Sequence, residues 1–323
     1  MPSPRRILII KPSALGDIVH TLPVLRLLRR RYPQARIAWL VNPAFADLLD
    51  GHPDLDQLIL FRRKRIGTIP ALIGELRRFR PDVTIDLQGL IRTGLLTLGS
   101  GASRRIGFGY ARELAALAYS QRVGGRQDGR HAVERYLDVA EQLDCGRGPV
   151  EFVLPDAPLE LPPTPYAVLI PGTNWATKRW PVEQFADLGK RLRCQGLTVV
   201  ASGSPDERPL ADAVGADVNL AGQTSIKQLV TLLRHAAVAV TNDSGPMHIA
   251  AAVDTPLLAA FGPTDPRRTG PFARNDDVVR LPLPCAPCLS RTCVHQTCLQ
   301  TLRADRVLPL VQARIRRPTP VQA

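Results

Sequence analysis

Nowhere in this chain does an apolar run reach the roughly 18 residues that a membrane-spanning helix needs. Met1 to Lys11 also has no apolar leader core or small-residue cleavage site, and passes straight into a strand-like Ile7-Leu8-Ile9-Ile10. Together the two absences predict a cytoplasmic protein. Aromatic residues are only 5% of the chain and no nucleic-acid-reading motif is present, which weighs against nucleic acid as the partner. The phosphate loop G-x-x-x-x-G-K-[ST] is missing, and no D-x-D metal clamp stands among the loop motifs described below. No segment has a low-complexity or disordered composition.

What the chain does have is length and positive charge. Its 323 residues are about twice the ~150-residue domain norm, so two domains are expected, and with 45% hydrophobic residues each can bury a core. The 42 basic against 29 acidic residues give +13, and the excess is lopsided: 24 against 14 up to Val150, 18 against 15 beyond it. Such a field suits an anionic partner held by the first half, whether nucleic acid, an anionic membrane face or a phosphorylated substrate; solvated helix arginines are the alternative explanation of the net figure. Six cysteines in a cytoplasmic chain are expected to be reduced.

Apolar runs at 7–10, 37–41, 57–61, 83–87 and 105–108 read as buried strands, with helical stretches near 18–31, 68–79, 91–98 and 131–143 between and after them. Alternation of this kind implies a parallel, doubly wound α/β sheet. Gly146 to Pro165 is too proline-dense for a helix or central strand and reads as a linker. The alternation then restarts, with strands at 166–170, 197–201, 218–220, 238–241 and 257–261 and helices near 182–193, 226–233 and 246–252. Ligands of open α/β sheets bind outside the carboxyl ends of the strands, so a cleft between two such domains is the expected active site.

Each motif that carries chemistry follows one of these strands. Lys11-Pro12-Ser13-Ala14-Leu15-Gly16-Asp17 leaves the first strand, turns at Gly16 and brings Asp17 into a first helical turn, where the dipole favours the carboxylate form that a general base needs. An ordinary capping aspartate is the plainer reading of that residue alone, and His20 reads as a core or capping histidine. Pro171 to Pro181 offers Thr173, Asn174 and Lys178 to phosphate oxygens, with Trp175 and Trp180 walling the loop. Thr241 to His248 adds the backbone amides of Ser244 and Gly245 at a helix start, while Asp243 suits sugar hydroxyls and His248 lies one turn in. A plain helix start explains Ser244 and Pro246 but not Asn242, Asp243 and His248 with them. Gly203 to Glu207 and Phe261 to Pro266 complete the rim, each also readable as a simple turn.

In this order and over nearly the whole chain, the motifs resemble those of the bacterial lipopolysaccharide heptosyltransferases of glycosyltransferase family 9. The resemblance implies the GT-B fold, two doubly wound Rossmann-like α/β domains facing a central cleft, with residues 1–155 binding the acceptor and 156–323 the donor. It implies metal-independent, inverting transfer of heptose from ADP-heptose to a Kdo-lipid A acceptor, with no cofactor. Asp17 would be the base; Thr173, Asn174 and Lys178 would meet the diphosphate, Lys178 neutralising the departing ADP. Asp243, Ser244, Gly245 and His248 would hold heptose and diphosphate, and Glu207 the nucleoside. Many members carry a second hydroxyl residue where this chain has Asn174. The scheme fits the chemistry, since an inverting displacement needs one base and charge stabilisation for the leaving group on the opposite face.

The basic first half then acquires a use. Lys11, Ser13, Arg62, Arg63, Lys64 and Arg112 are candidates to grip the carboxylates and phosphates of the acceptor, with a solvated charge run as the alternative. Gly107-Phe108, Ala111-Arg112-Glu113 and His131 to Arg135 resemble the type that adds the first heptose, whereas Cys285, Cys288, Cys293 and Cys298, with His295 among them, resemble the second-heptose type. That cysteine spacing has enough ligands for structural zinc but matches no standard finger; disulfides or a reduced loop are the other readings. Cys145 and Cys194 are expected to be buried packing residues. Expected partners are thus ADP-heptose, a lipid A type acceptor and the anionic inner membrane face. The alternatives are the second-heptose enzyme, a related enzyme with another sugar nucleotide, and a basic lipid-binding module without chemistry.

Overall fold

The computed structural model describes residues 3–62, 69–124, 129–163 and 165–315. The chain divides into two compact units, Met1–Pro155 and Asp156–Ala323.

In the first unit the strands are β1 (Arg6–Ile10), β2 (Arg36–Val41), β3 (Gln57–Leu60), β4 (Val83–Asp86), β5 (Arg104–Phe108) and β6 (Gln121–Val123). Its helices are α1 (Leu15–Arg31), α2 (Pro43–Ala46), α3 (Ile69–Phe79), α4 (Ile91–Gly99) and α5 (Ala132–Glu141). The strands pair in parallel in the order β3-β2-β1-β4-β5-β6. A parallel sheet must be covered on both faces, which is why β1 reads as unbroken Ile-Leu-Ile-Ile and is fully buried. On one face Leu8, Ile10, Leu40 and Ile59 pack against Leu72, Leu76 and Phe79 of α3 and Leu96 of α4.

The second unit repeats the plan with β7 (Tyr166–Ile170), β8 (Thr198–Ala201), β9 (Val218–Asn219), β10 (Val238–Asn242), β11 (Leu257–Ala260) and β12 (Val278–Val279). Its helices are α6 (Val182–Arg193), α7 (Arg208–Val214), α8 (Ile226–His235), α9 (Gly245–Ala252), α10 (Pro266–Thr269), α11 (Thr297–Gln300) and α12 (Ala304–Gln312). The order β12-β11-β10-β7-β8-β9 is again parallel and starts at the centre. Both sheets reverse beside their first strand, between β1 and β4 and between β7 and β10. Loops leaving the carboxyl ends of two such strands part, and the crevice between them is where ligands of this topology bind.

Several sequence expectations need correction. The edge strands β6 and β12 and the helices α7 and α12 lie outside the pattern read from the sequence. Helix α1 begins at Leu15, so Gly16 is its second residue rather than the turn; the chain turns within Lys11 to Ala14. Cys194 is exposed rather than buried, because it caps the solvent end of α6, and Cys145 is half-buried. Among the described residues, 145–165 form no helix or strand.

Candidate active site

At the first switch point the β1 loop meets the β4 loop. Lys11, fully buried, sends its ammonium to the Leu87 carbonyl oxygen at 3.1 Å, and the Ser13 N–H donates to Gln88 Oε1 at 3.3 Å. Asp17 is the third residue of α1, where its carboxylate reaches back to accept the Ala14 N–H at 3.2 Å. That carboxylate lies 3.7 Å from Lys11 Nζ and is 44% exposed. The Tyr136 hydroxyl, from α5, donates to Asp17 Oδ1 at 3.4 Å, and Lys11 Nζ stands 5.2 Å above the Tyr136 ring. Burial alone would lower the Lys11 ammonium, but Asp17, Tyr136 and Asp86 outweigh it and hold the group above the usual lysine range. Burial, reinforced by Asp17, pushes the Tyr136 phenol up to about 12, so it remains a donor.

Behind this group Asp86 ends β4, fully buried, accepting the Gln88 and Gly89 amides at 2.9 and 3.1 Å and the Tyr119 hydroxyl at 2.7 Å. Burial raises its carboxyl above the ordinary range. His20 is buried edge-on to His131, 4.9 Å between ring centroids, and belongs to the packing between α1 and α5.

The second switch point is built from the loop after β7 and the turn into α9. Asn242 ties the two together, its amide donating to the Pro171 carbonyl at 2.7 Å and accepting the Trp180 N–H at 2.9 Å. The Thr173 hydroxyl donates to the Asp243 carbonyl oxygen at 3.1 Å. Lys178, at the end of a short 3-10 turn, pairs with Asp243 at 2.7 Å, and Asp243, only 5% exposed, also accepts the Thr264 hydroxyl at 2.6 Å. The Trp175 ring has Lys178 Nζ at 4.6 Å and the Arg291 guanidinium at 4.4 Å from its centre, while Trp180 is a core residue against Phe185. Asn174 is exposed. Ser244 caps α9 through its backbone, with Gly245 the first helical residue and His248 buried one turn in.

Glu207 lies beyond β8, its carboxylate accepting the Ser204 N–H at 2.8 Å. The same carboxylate lies across Gly172, where an added Cβ would come within 2.1 Å of Cδ. A glycine is therefore required at 172 for Glu207 to reach the β7 loop.

Of the predicted site residues, Asp17, Lys11 and Ser13 come together in the first unit, and Thr173, Lys178, Asp243 and Ser244 in the second. Lys11, expected on the acceptor side, is buried, and its ammonium is turned toward Asp17 and the β4 loop. Arg62 and Arg112 are exposed, and Arg63 and Lys64 lie outside the described residues. The one Asp-x-Asp of the chain, Asp54-Leu55-Asp56, is bound by Arg26 at 2.9 Å and Arg29 at 2.5 Å and works as structure. Tyr136, Gln88, Thr264 and Arg291 escaped the motif reading; Thr264 alone had a signal, in the rim loop Phe261 to Pro266.

The four clustered cysteines are free and line one cavity of about 250 Å³ with His295, Gly262 and Thr177. Cys293 Sγ lies 3.3 Å from His295 Nδ1, and burial, with the three neighbouring cysteines, raises the Cys298 thiol. Among the described residues no three His, Cys, Asp or Glu side chains are grouped so as to hold a metal ion. Nor, among them, is any helix long and apolar enough to cross a membrane.

Residues 69–299 match the model of glycosyltransferase family 9 (heptosyltransferase). The chain belongs to this family. It is 35% identical over 315 residues to lipopolysaccharide heptosyltransferase 1 of Pseudomonas aeruginosa, covering 90% of this chain and 88% of that protein. Escherichia coli ADP-heptose lipopolysaccharide heptosyltransferase II superposes with a TM-score of 0.78 at 28% identity, over 95% of this chain and 98% of the other. Escherichia coli heptosyltransferase WaaC with ADP gives 0.73 at 26%, over 95% and 97%. The protein is thus a glycosyltransferase with the two α/β units of the GT-B class.

Proposed function

We propose that the protein moves heptose from ADP-heptose to the Kdo region of a lipid A inner-core acceptor, with inversion at the anomeric carbon, as the first heptose addition of lipopolysaccharide core assembly. The observation that carries this reading is the pair of dissimilar switch points: a half-exposed carboxylate steadied by Lys11 and Tyr136 in one unit, and a lysine-centred anion cradle in the other. Asp17 takes the proton of the acceptor hydroxyl as its oxygen attacks the anomeric carbon. The bond from that carbon to the diphosphate breaks, and ADP leaves with the electron pair. Lys178, Thr173, Asn174 and the amides of Ser244 and Gly245 stabilise the growing charge.

For that, Lys178 exchanges Asp243 for the diphosphate, which frees the Asp243 carboxylate for sugar hydroxyls while Thr264 keeps hold of it. His248 takes part in holding heptose and diphosphate, and Glu207 meets the nucleoside. On the acceptor side Ser13, Arg62, Arg63, Lys64 and Arg112 supply donors for carboxylates and phosphates. Residues 1–155 are the acceptor domain and 156–323 the donor domain in this reading. The enzyme works in the cytoplasm at the anionic inner face of the membrane, where a lipid-anchored acceptor is displayed.

A second reading, transfer to an acceptor that already bears one heptose, is favoured by the higher TM-score to heptosyltransferase II. Turnover separates the two: purified protein, ADP-heptose, and Kdo-lipid A with or without one heptose, followed by ADP release and product mass. Transfer to the heptose-free acceptor is expected. Transfer only to the heptosylated one would move the assignment to the second heptose, and no ADP release with either would overturn the substrate reading.

A further inference from the structure

We propose that a leucine-rich face of the first unit, made by α4 and the 3-10 turn at Ala115–Ala118, is the surface that seats the protein on an anionic bilayer. This deepens the membrane reading above and rests on it. Among the described residues, eight large hydrophobic side chains are exposed, and five fall on these two segments and the residue that caps the turn: Ile91 (44%), Leu95 (59%), Leu98 (47%), Leu114 (72%) and Leu117 (71%). Soluble proteins scatter such residues singly; a contiguous group marks a contact surface. The spacing 91, 95, 98 is one stripe of α4, and the opposite side of the helix is buried through Thr93, Leu96 and Thr97. The two segments are in direct contact, since a Cβ on Gly94 would stand 3.3 Å from Ala115.

The backbone is bent to present this face. Glu113 and Leu114 are consecutive non-glycine residues in the left-handed region, with φ of 55° and 64°. That conformation is unfavourable for leucine, and it ends with Leu114 the most exposed leucine of the five.

The rim supplies the complementary charge. Arg77 Nε donates to the Gly99 carbonyl oxygen at the end of α4 (3.0 Å) and Arg122 Nε to that of Ala116 (3.0 Å), while the backbone N–H of Arg112 donates to that of Gly89 (2.9 Å). All three residues are exposed. The acidic member, Glu113, turns its carboxylate to the Ile91 N–H at 3.2 Å, where α4 begins. Apolar residues bordered by exposed arginines match the interface of a bilayer with anionic headgroups, the leucines entering the acyl boundary and the guanidinium groups staying at the phosphates. A second copy of the chain would bring these arginines against their own counterparts, which disfavours self-association through the same face.

The test is flotation with mixed phosphatidylethanolamine–phosphatidylglycerol vesicles, comparing wild type with Leu95→Glu/Leu117→Glu. Both positions are solvent-facing, so the melting temperature should match wild type. Wild type is expected to float and to release in part at high salt. The double variant should partition at least a hundredfold less, about tenfold per leucine withdrawn from the acyl boundary, while turning over a deacylated, water-soluble Kdo acceptor at the wild-type rate. Undiminished flotation of the variant would overturn the surface and leave the membrane reading standing. No flotation of wild type would overturn both. A wild-type dimer in sedimentation that the variant splits would assign the face to a subunit contact instead.

Discussion

The two units share a strand order and differ in what each puts at its switch point. In the first, the β1 loop runs directly into α1 at Leu15, and the carboxylate at the third helical position stays 44% exposed with a buried lysine behind it. In the second, the chain makes the excursion 171–181 before α6 and returns a lysine onto a carboxylate that is 5% exposed. Connection length decides the difference. A short connection leaves an acid facing outward, open to a hydroxyl that must lose a proton; a long one carries a cation back over the β10 turn, ready for an anion. One topology thus yields a base and a leaving-group cradle without any change in the sheet.

If the first switch point is the base, its removal gives the largest effect. Asp17→Asn should lower kcat about 10³-fold, the worth of a general base, with ADP-heptose affinity unchanged in calorimetry; a loss of donor affinity instead would dissolve the division of labour. Lys178→Met should cost about 10²-fold in kcat, as removal of one charge-stabilising donor does. It should also destabilise by about 3 kcal/mol, because Asp243 is left buried without its cation. Lys178→Met/Asp243→Asn should recover that stability and none of the activity. Recovery of both would reduce the pair to a structural bridge. Gly172→Ala drives a methyl into Glu207, and about a tenfold weaker ADP affinity is expected if Glu207 holds the nucleoside, roughly one lost charge-assisted hydrogen bond.

The loops at both crevices were legible because each follows a buried apolar strand and carries small, polar or charged residues over a few positions. Both sheets were legible for the same reason, except at one edge of each, β6 in the first and β12 in the second. Strands β6 and β12 have three and two residues and are defined by backbone pairing, not by an apolar run. Helix α12 did have a signal, with Ala304, Val307 and Val311 buried at three- and four-residue spacing, but it is short and interrupted by Pro309. Tyr136 and Gln88 were out of reach because they stand 119 and 75 residues from the groups they touch, Asp17 and Ser13. A single sequence records local periodicity, and these partners are set by the packing of α5 on α1 and by the register of β1 with β4. The buried role of Lys11 has the same origin: nothing beside it in the chain tells that its ammonium turns inward to Leu87.

The smallest effect sharpens the account of that lysine. Its value in the folded protein is raised, so the stability it contributes is fully present below the unfolded lysine value, about 10.4, and is lost only as pH rises through the higher folded one. The Tyr136 phenol, pushed up to about 12, stays protonated over most of the same window. The difference in melting temperature between wild type and Lys11→Met should therefore be flat from about pH 7 to pH 10 and shrink by a few degrees only above that. A difference that shrank already between pH 7 and 9 would mean that burial wins over Asp17, Tyr136 and Asp86. Lys11 would then lose its charge just where the base needs a cation beside it, and the contrast between the two switch points would rest on Asp17 alone.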